Sequence, residues 1–193
     1  TTALHAGGHG NITAVTESWN GTSWTEVGDL NQARGYFTGS IESNSAGIAY
    51  GGITPATSAG VAITESWNGS SWTEVNDLNT GRRSNSGVGT STNGFAMGGH
   101  TTTTVSVCET WNGSSWTEVA DQSTAGGGAA FGVYNNALKA SENNTELWNG
   151  TAWSEGANSS SSASNRSGLG ATTAGLKTGG EPPNVGITTT EEW

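Results

Sequence analysis

A twelve-residue phrase returns at near-regular intervals, nine tryptophans are confined to its copies, and short strand-like runs separated by turn residues fill the rest. Together these observations predict an all-β chain: a β-propeller of four-stranded blades, five in number. The phrase reads Thr-Glu-Ser-Trp-Asn-Gly-Thr-Ser-Trp-Thr-Glu-Val over residues 16–27 and recurs over 64–75. It returns over 108–119 with Cys108 in the first place, more weakly over 145–155, and truncated over 190–193. The first tryptophan of each copy stands at 19, 67, 111, 148 and 193, so the steps are 48, 44, 37 and 45 residues. The whole of 1–193 therefore reads as a single domain of 37–48-residue repeats.

Each repeat resolves into four strands, a to d. The b strand ends in a glycine pair: it covers 3–8 and returns at 47–52, 94–99 and 175–180, while the fourth copy, 136–140, has lost its glycines. A loop leads to the c strand, which carries the first tryptophan. Asn-Gly follows, the strongest short-range signal for a tight hairpin turn. A two-residue turn would pair Trp19 with Thr22 and Glu17 with Trp24. A four-residue loop would set Glu17 against Glu26, where like charges repel, so the tight turn is the expectation. The d strand holds the second tryptophan. A polar loop then leads to the a strand, read at 34–42, 82–90 and 166–173 with an arginine at its start, and at 128–134 without one. Counting gives five b, five c, four d and four a strands; the first blade lacks a and the last lacks d, which reads as a five-bladed propeller or, as the alternative, an incomplete piece of a larger ring.

The order arginine, strand, Gly-Gly, strand with Glu, turn, Trp resembles the kelch repeat, with Gly51, Gly52, Glu65, Trp72 and Arg82 as matching residues. The resemblance covers nearly the whole chain and implies kelch-like blades. Kelch repeats often carry Tyr before the turn, where this chain has Trp. The Trp-Asn-Gly-Ser-Ser-Trp arrays also look like those of kelch-like proteins of marine phages and bacteria.

Composition narrows the function. Hydrophobic residues are only 32% and 31 residues are Gly, which suggests disorder, but regularly placed tryptophans argue for a packed layer in every repeat. The formal net charge, 6 − 16 = −10, leaves no basic footprint for nucleic acid. No apolar run is long enough for a membrane-spanning helix, and no signal peptide is visible. The sequence opens without Met and stops in the first strand of a hairpin, which points to processing or to a piece of a longer protein. Cys108, the only cysteine, fills a place held by Thr in the other copies and reads as a small strand residue.

Recurrent Glu pairs (Glu17 with Glu26, Glu65 with Glu74) beside Trp would suit a glycosidase. They occur in copy after copy, however, which fits architecture: tryptophans between blades, carboxylates on backbone donors or in solvent. The nine repeat tryptophans, Trp19, Trp24, Trp67, Trp72, Trp111, Trp116, Trp148, Trp153 and Trp193, are assigned that structural role. His5, His9 and His100 lack the convergent partners of a zinc site. The Gly-Gly pairs have neither P-loop nor Rossmann spacing. No catalytic, cofactor or metal residue is assigned. The Asn-Gly-(Ser/Thr) matches at Asn20, Asn68 and Asn149 follow from the turn itself, and the serine run 159–162 reads as a flexible loop.

The expectation is a non-enzymatic binding or structural module, exposed extracellularly on a virion or cell surface, with a protein or glycan partner. The b–c loops vary between copies and share a face with the d–a loops, so recognition is placed there, on His9, Ile53, Thr54, Arg82, Arg83 and His100. A lectin with one weak glycan site per blade is the alternative, which exposed tryptophans would favour. A kelch-type enzyme is the third reading.

Overall fold

The computed structural model describes residues 2–8, 11–160, 167–179 and 190–192. Among them are eighteen strands and no helix, gathered into five antiparallel sheets that form a five-bladed β-propeller. Blade 1 holds β1 (Ala3–Ala6), β2 (Thr16–Trp19) and β3 (Trp24–Glu26). Blade 2 holds β4 (Thr38–Ser43), β5 (Ala46–Tyr50), β6 (Thr64–Trp67) and β7 (Trp72–Glu74). Blade 3 holds β8 (Ser86–Gly89), β9 (Gly94–His100), β10 (Thr104–Trp111) and β11 (Trp116–Val119). Blade 4 holds β12 (Ala129–Val133), β13 (Asn136–Ser141), β14 (Asn144–Trp148) and β15 (Trp153–Glu155). Blade 5 holds β16 (Ser167–Ala171), β17 (Ala174–Thr178) and β18 (Thr190–Glu192). Each sheet is a simple meander, and β4, β8, β12 and β16 pack side by side as the innermost strands. The a strands begin later than expected: Arg34 and Arg82 lie in the segments that lead into them.

The hairpin turn differs from expectation. Trp pairs directly with Trp in all four described copies, 19 with 24, 67 with 72, 111 with 116 and 148 with 153, so the loop has four residues. Glu17 stands opposite Glu26, and Glu65 opposite Glu74. The reason is the asparagine side chain. Asn68 Oδ1 accepts from the backbone N–H groups of Ser70 and Ser71, both at 3.0 Å, while Asn68 N–H donates to Ser71 C=O at 3.3 Å. Asn20, Asn112 and Asn149 do the same. Asparagine thus closes an Asx-type turn through its amide rather than through a left-handed backbone. Only the glycine takes positive φ, at +97° for Gly69. The expected like-charge repulsion is avoided because Glu65 is buried and ion-paired while Glu74 faces solvent.

Direct pairing brings the two indoles of each hairpin to centroid separations of 5.3–5.5 Å at interplanar angles of 44–46°. They then divide the work. The first tryptophan ties its own blade: the indole N–H groups of Trp67, Trp111 and Trp148 donate to the carbonyls of Asn44, Ser91 and Tyr134 in the a–b turns. The second reaches into the preceding blade. Trp72 Nε1–H donates to Thr16 Oγ1 at 3.0 Å, and Trp116 Nε1–H to Thr64 Oγ1 at 3.1 Å. In blade 3 the acceptor position is Cys108, a weak acceptor, and Trp153 donates instead to Ala120 C=O at 3.0 Å.

The apolar core is consequently cut into slices, one per seam. Leu4, Leu30, Ala49, Trp67 and Trp72 fill the first, and Ile48, Tyr50, Leu78, Trp111 and Trp116 the second. Val88, Phe95, Met97, Cys108 and Trp148 fill the third. Trp72→Ala should therefore lose about 3–5 kcal/mol in urea unfolding, the cost of a large vacated core site. Thr64→Val keeps the volume but strands the Trp116 N–H, and should lose about 1–3 kcal/mol in the same measurement.

Candidate functional site

The propeller face that carries the d–a and b–c loops is built by the segments entering β4 and β8. Arg34 and Arg82 sit there with no exposed surface. Arg34 donates to the Gly51 and Ile63 carbonyls at 3.0 and 2.8 Å and to Glu65 Oε1 at 3.0 Å. Glu65 Oε2 accepts from Asn31 N–H at 2.7 Å and from its amide at 2.8 Å. Blade 3 repeats the set: Arg82 meets Glu109 Oε1 at 2.8 Å, and Asn79 donates twice to Glu109 Oε2. Burial draws both guanidinium pKa values below their usual level, and the facing carboxylate opposes that shift. The c-strand glutamates do meet backbone donors; the buried arginine partner went unread, since it lies 31 residues from Glu65 and 27 from Glu109 in the chain.

Blade 4 has no arginine at this place. There Lys139 stands directly across from Glu146, where blades 2 and 3 have Ala49 across from Glu65 and Ala96 across from Glu109. Lys139 donates to Thr124 C=O at 3.0 Å, and Glu146 accepts from Ser123 and Thr124 N–H. Burial lowers the Lys139 pKa to about 8, with Glu146 acting against it. In blade 5 Lys177 faces Glu191 and donates to Glu142 C=O and Ser159 Oγ; in blade 1 His5 faces Glu17. Ser159, read as loop, is buried by that contact; residues 161 and 162 of the serine run lie outside the described residues.

The expected recognition residues divide accordingly. His9 lies outside the described residues. Ile53 and Thr54 are buried, and Ile53 exchanges two backbone hydrogen bonds with Gly35, so they tie the loop down rather than present it. Arg82 is committed to Glu109. Arg83 and His100 do come together: they exchange backbone hydrogen bonds at 3.0 and 2.9 Å and line an open cavity of about 1240 Å³.

Its wall also includes Tyr36, Ser84, Asn85 and Glu142. Tyr36, Ser84 and Glu142 adopt φ of +56°, +51° and +51°, conformations that cost energy for side-chain-bearing residues. Among the described residues, Arg83 is the one Arg or Lys side chain with no hydrogen bond or ion pair. Asn85 is only 7% exposed, yet neither its amide nitrogen nor its oxygen has a partner. It is wedged between two b-strand ends. A Cβ on Gly51 would come within 3.2 Å of Asn85 Oδ1, and one on Gly99 within 3.0 Å of Asn85 Cβ, so the glycine pairs serve close backbone passage. Aligning the entry segments could have found this site. Arg34 matches Arg82, so Gly35 and Phe37 stand where blade 3 has Arg83 and Asn85.

Other chemistry is sparse. Burial raises the Cys108 thiol pKa and holds it in its protonated form. No group of three or more His, Cys, Asp or Glu side chains converges among the described residues. No described helix is long and apolar enough to cross a membrane.

No family model matches the sequence, and no curated protein matches it. Solved structures do: 147 chains are similar. One is YjhT, 12% identical, with a TM-score of 0.74 over 91% of this chain and 71% of that one. The likeness is one of fold.

Glu109→Gln leaves the Arg82 charge buried without its counter-ion and should cost about 3–5 kcal/mol in denaturant unfolding. Lys139 gives the opposite of an ordinary pH profile. Below its folded pKa of about 8 it is charged in both states; between there and its ordinary value of 10.5 the unfolded chain binds a proton that the folded chain does not. Stability therefore rises with pH in that window. Wild type should gain ~2 kcal/mol on Lys139→Met between pH 8 and pH 10, measured by urea unfolding at each pH.

Proposed function

We propose that the chain is a recognition module, acting by binding rather than catalysis, that holds a carboxylate-bearing segment of a protein or glycan in the cavity around Arg83. One observation carries this reading: the guanidinium of Arg83 is unpaired on a cavity wall, in a chain whose other described Arg and Lys side chains are all engaged. A guanidinium presents a planar fork that matches a carboxylate bidentately. His100 and Asn85 flank it and add polar groups of both kinds. Blade 2 has glycine at the Arg83 position, so the group is not demanded by the repeat. Strained backbone at Tyr36, Ser84 and Glu142 around the same cavity supports a built site.

A lectin with one stacking site per blade gains little support. Trp67, Trp72, Trp111, Trp116 and Trp148 are buried between blades, where no sugar ring can reach their faces.

A panel of acidic and neutral peptides and oligosaccharides, titrated by calorimetry, should yield binders only among those with a carboxylate. Arg83→Ala should weaken binding roughly 10- to 100-fold, the worth of a charge-assisted hydrogen bond. Its unfolding free energy should stay within about 0.5 kcal/mol of wild type, because Arg83 holds no partner. Undiminished affinity in Arg83→Ala would remove the site from this cavity.

A further inference from the structure

The seams between blades are asymmetric. The face of a blade that meets its successor carries an aliphatic or aromatic residue of the b strand: Ile48, Phe95 and Leu138, all fully buried. The face that meets its predecessor carries the second tryptophan, whose indole enters the neighbouring blade and donates there. Among the described residues, both halves of one such seam are left open. On blade 1, Trp24 is 49% exposed, where Trp72 is 4% and Trp116 6%. Its ring touches Trp19, 5.5 Å away, and its N–H has no acceptor. On blade 5, Leu176, in the place of Ile48 and Phe95, is 37% exposed. Leu169, in the place of Val88 and Phe131, is 57% exposed. Thr190, in the place of Thr16 and Thr64, is exposed too, and its hydroxyl reaches only Thr178.

We propose that these two faces join between copies of this chain, head to tail: Trp24 of one copy packs on Leu169 and Leu176 of a second and donates to its Thr190. The seams already present are the argument. Trp72 on Thr16 and Trp116 on Thr64 are the same contact made by the same residues at the same register. Among the described residues the two halves do not meet: Trp24 stays half exposed with its N–H free. The halves differ from each other, so the joint is heterologous: it adds copies in one direction until a ring closes. A two-fold pairing of like faces would set Trp24 against Trp24 and leave both indole N–H groups without the threonine. The proposal is independent of the cavity around Arg83.

The test uses light scattering and sedimentation of the 193-residue chain across a concentration series. Wild type should associate, with Trp24 fluorescence shifting to the blue as it does. Trp24→Ala should be monomeric, and so should Leu176→Asp; Leu169→Asp, at the more exposed site, serves if Leu176→Asp fails to fold. Mixing Trp24→Ala with either aspartate variant should restore a dimer and nothing larger, because each contributes the one face the other has lost. Ile41→Ser, which removes an exposed apolar side chain elsewhere, should associate like wild type. The proposal is overturned by a wild type that stays monomeric throughout, which would indicate closure within one chain or a different occupant. It is equally overturned if the mixed variants remain monomers, or if Ile41→Ser abolishes association.

Discussion

Blades 2, 3 and 4 depend on one contact, the tryptophan pair at the mouth of each c–d hairpin. A chain with 32% hydrophobic residues has little else from which to build a core. An indole that buries about 150–250 Å² contributes roughly 4–6 kcal/mol by area, so two per repeat can hold sheets of three to eight-residue strands together. The pair works because its members face different ways. One is tied to the a–b turn of its own blade, the other to the blade before. A single residue could do one task or the other. The four-residue Asn-Gly loop sets the two rings directly opposite each other, and that register is what allows the division.

The second recurring device is a cation over the c-strand glutamate. In blades 2 and 3 it forms an ion pair; in blade 4 a lysine stands across the strand and donates to a carbonyl instead. Blades 2 and 3 take it from the entry segment, as Arg34 and Arg82, and keep alanine across the strand to leave room. Blade 4 has lost the arginine and gained Lys139 at the alanine position. A carboxylate taken out of water needs a donor set wherever it comes from, so the physical requirement outlasts the sequence pattern that usually meets it. The same reasoning separates Arg82 from Arg83. Adjacent in the chain, they point to opposite duties because one meets a glutamate and the other meets a cavity.

Much of the architecture was legible in one dimension. The period of the tryptophans gave the blade count, the Gly-Gly and Trp-Asn-Gly punctuation placed the strands, and the absent a strand of blade 1 and d strand of blade 5 followed from counting. These features are local or periodic, and the backbone expresses them wherever the repeat occurs. Cys108 was likewise readable as a small strand residue in a threonine place, though not its effect in sending the Trp153 N–H to Ala120.

What the tertiary structure alone decided involves residues far apart in the chain. Whether Asn-Gly closes a two- or a four-residue turn rests on the asparagine amide reaching two N–H groups, a choice that a dipeptide signal leaves open. Glu17 opposite Glu26 looked unfavourable because the sequence carries no sign that the matching glutamate of blade 2 lies under Arg34. Ile53, Thr54 and Arg82 read as loop residues free to bind, yet packing buried all three, and of the described candidates Arg83 and His100 emerged on the cavity wall. That Asn85 is confined and unpartnered came to light only there, because the glycines of two different blades close on it from either side. The sequence by itself determined the repeat, its strands and its core residues, since each repeat writes them out again. Which charged groups are spent on the scaffold and which stay unpaired was set by contacts between segments some 30 residues apart, which leave no local pattern.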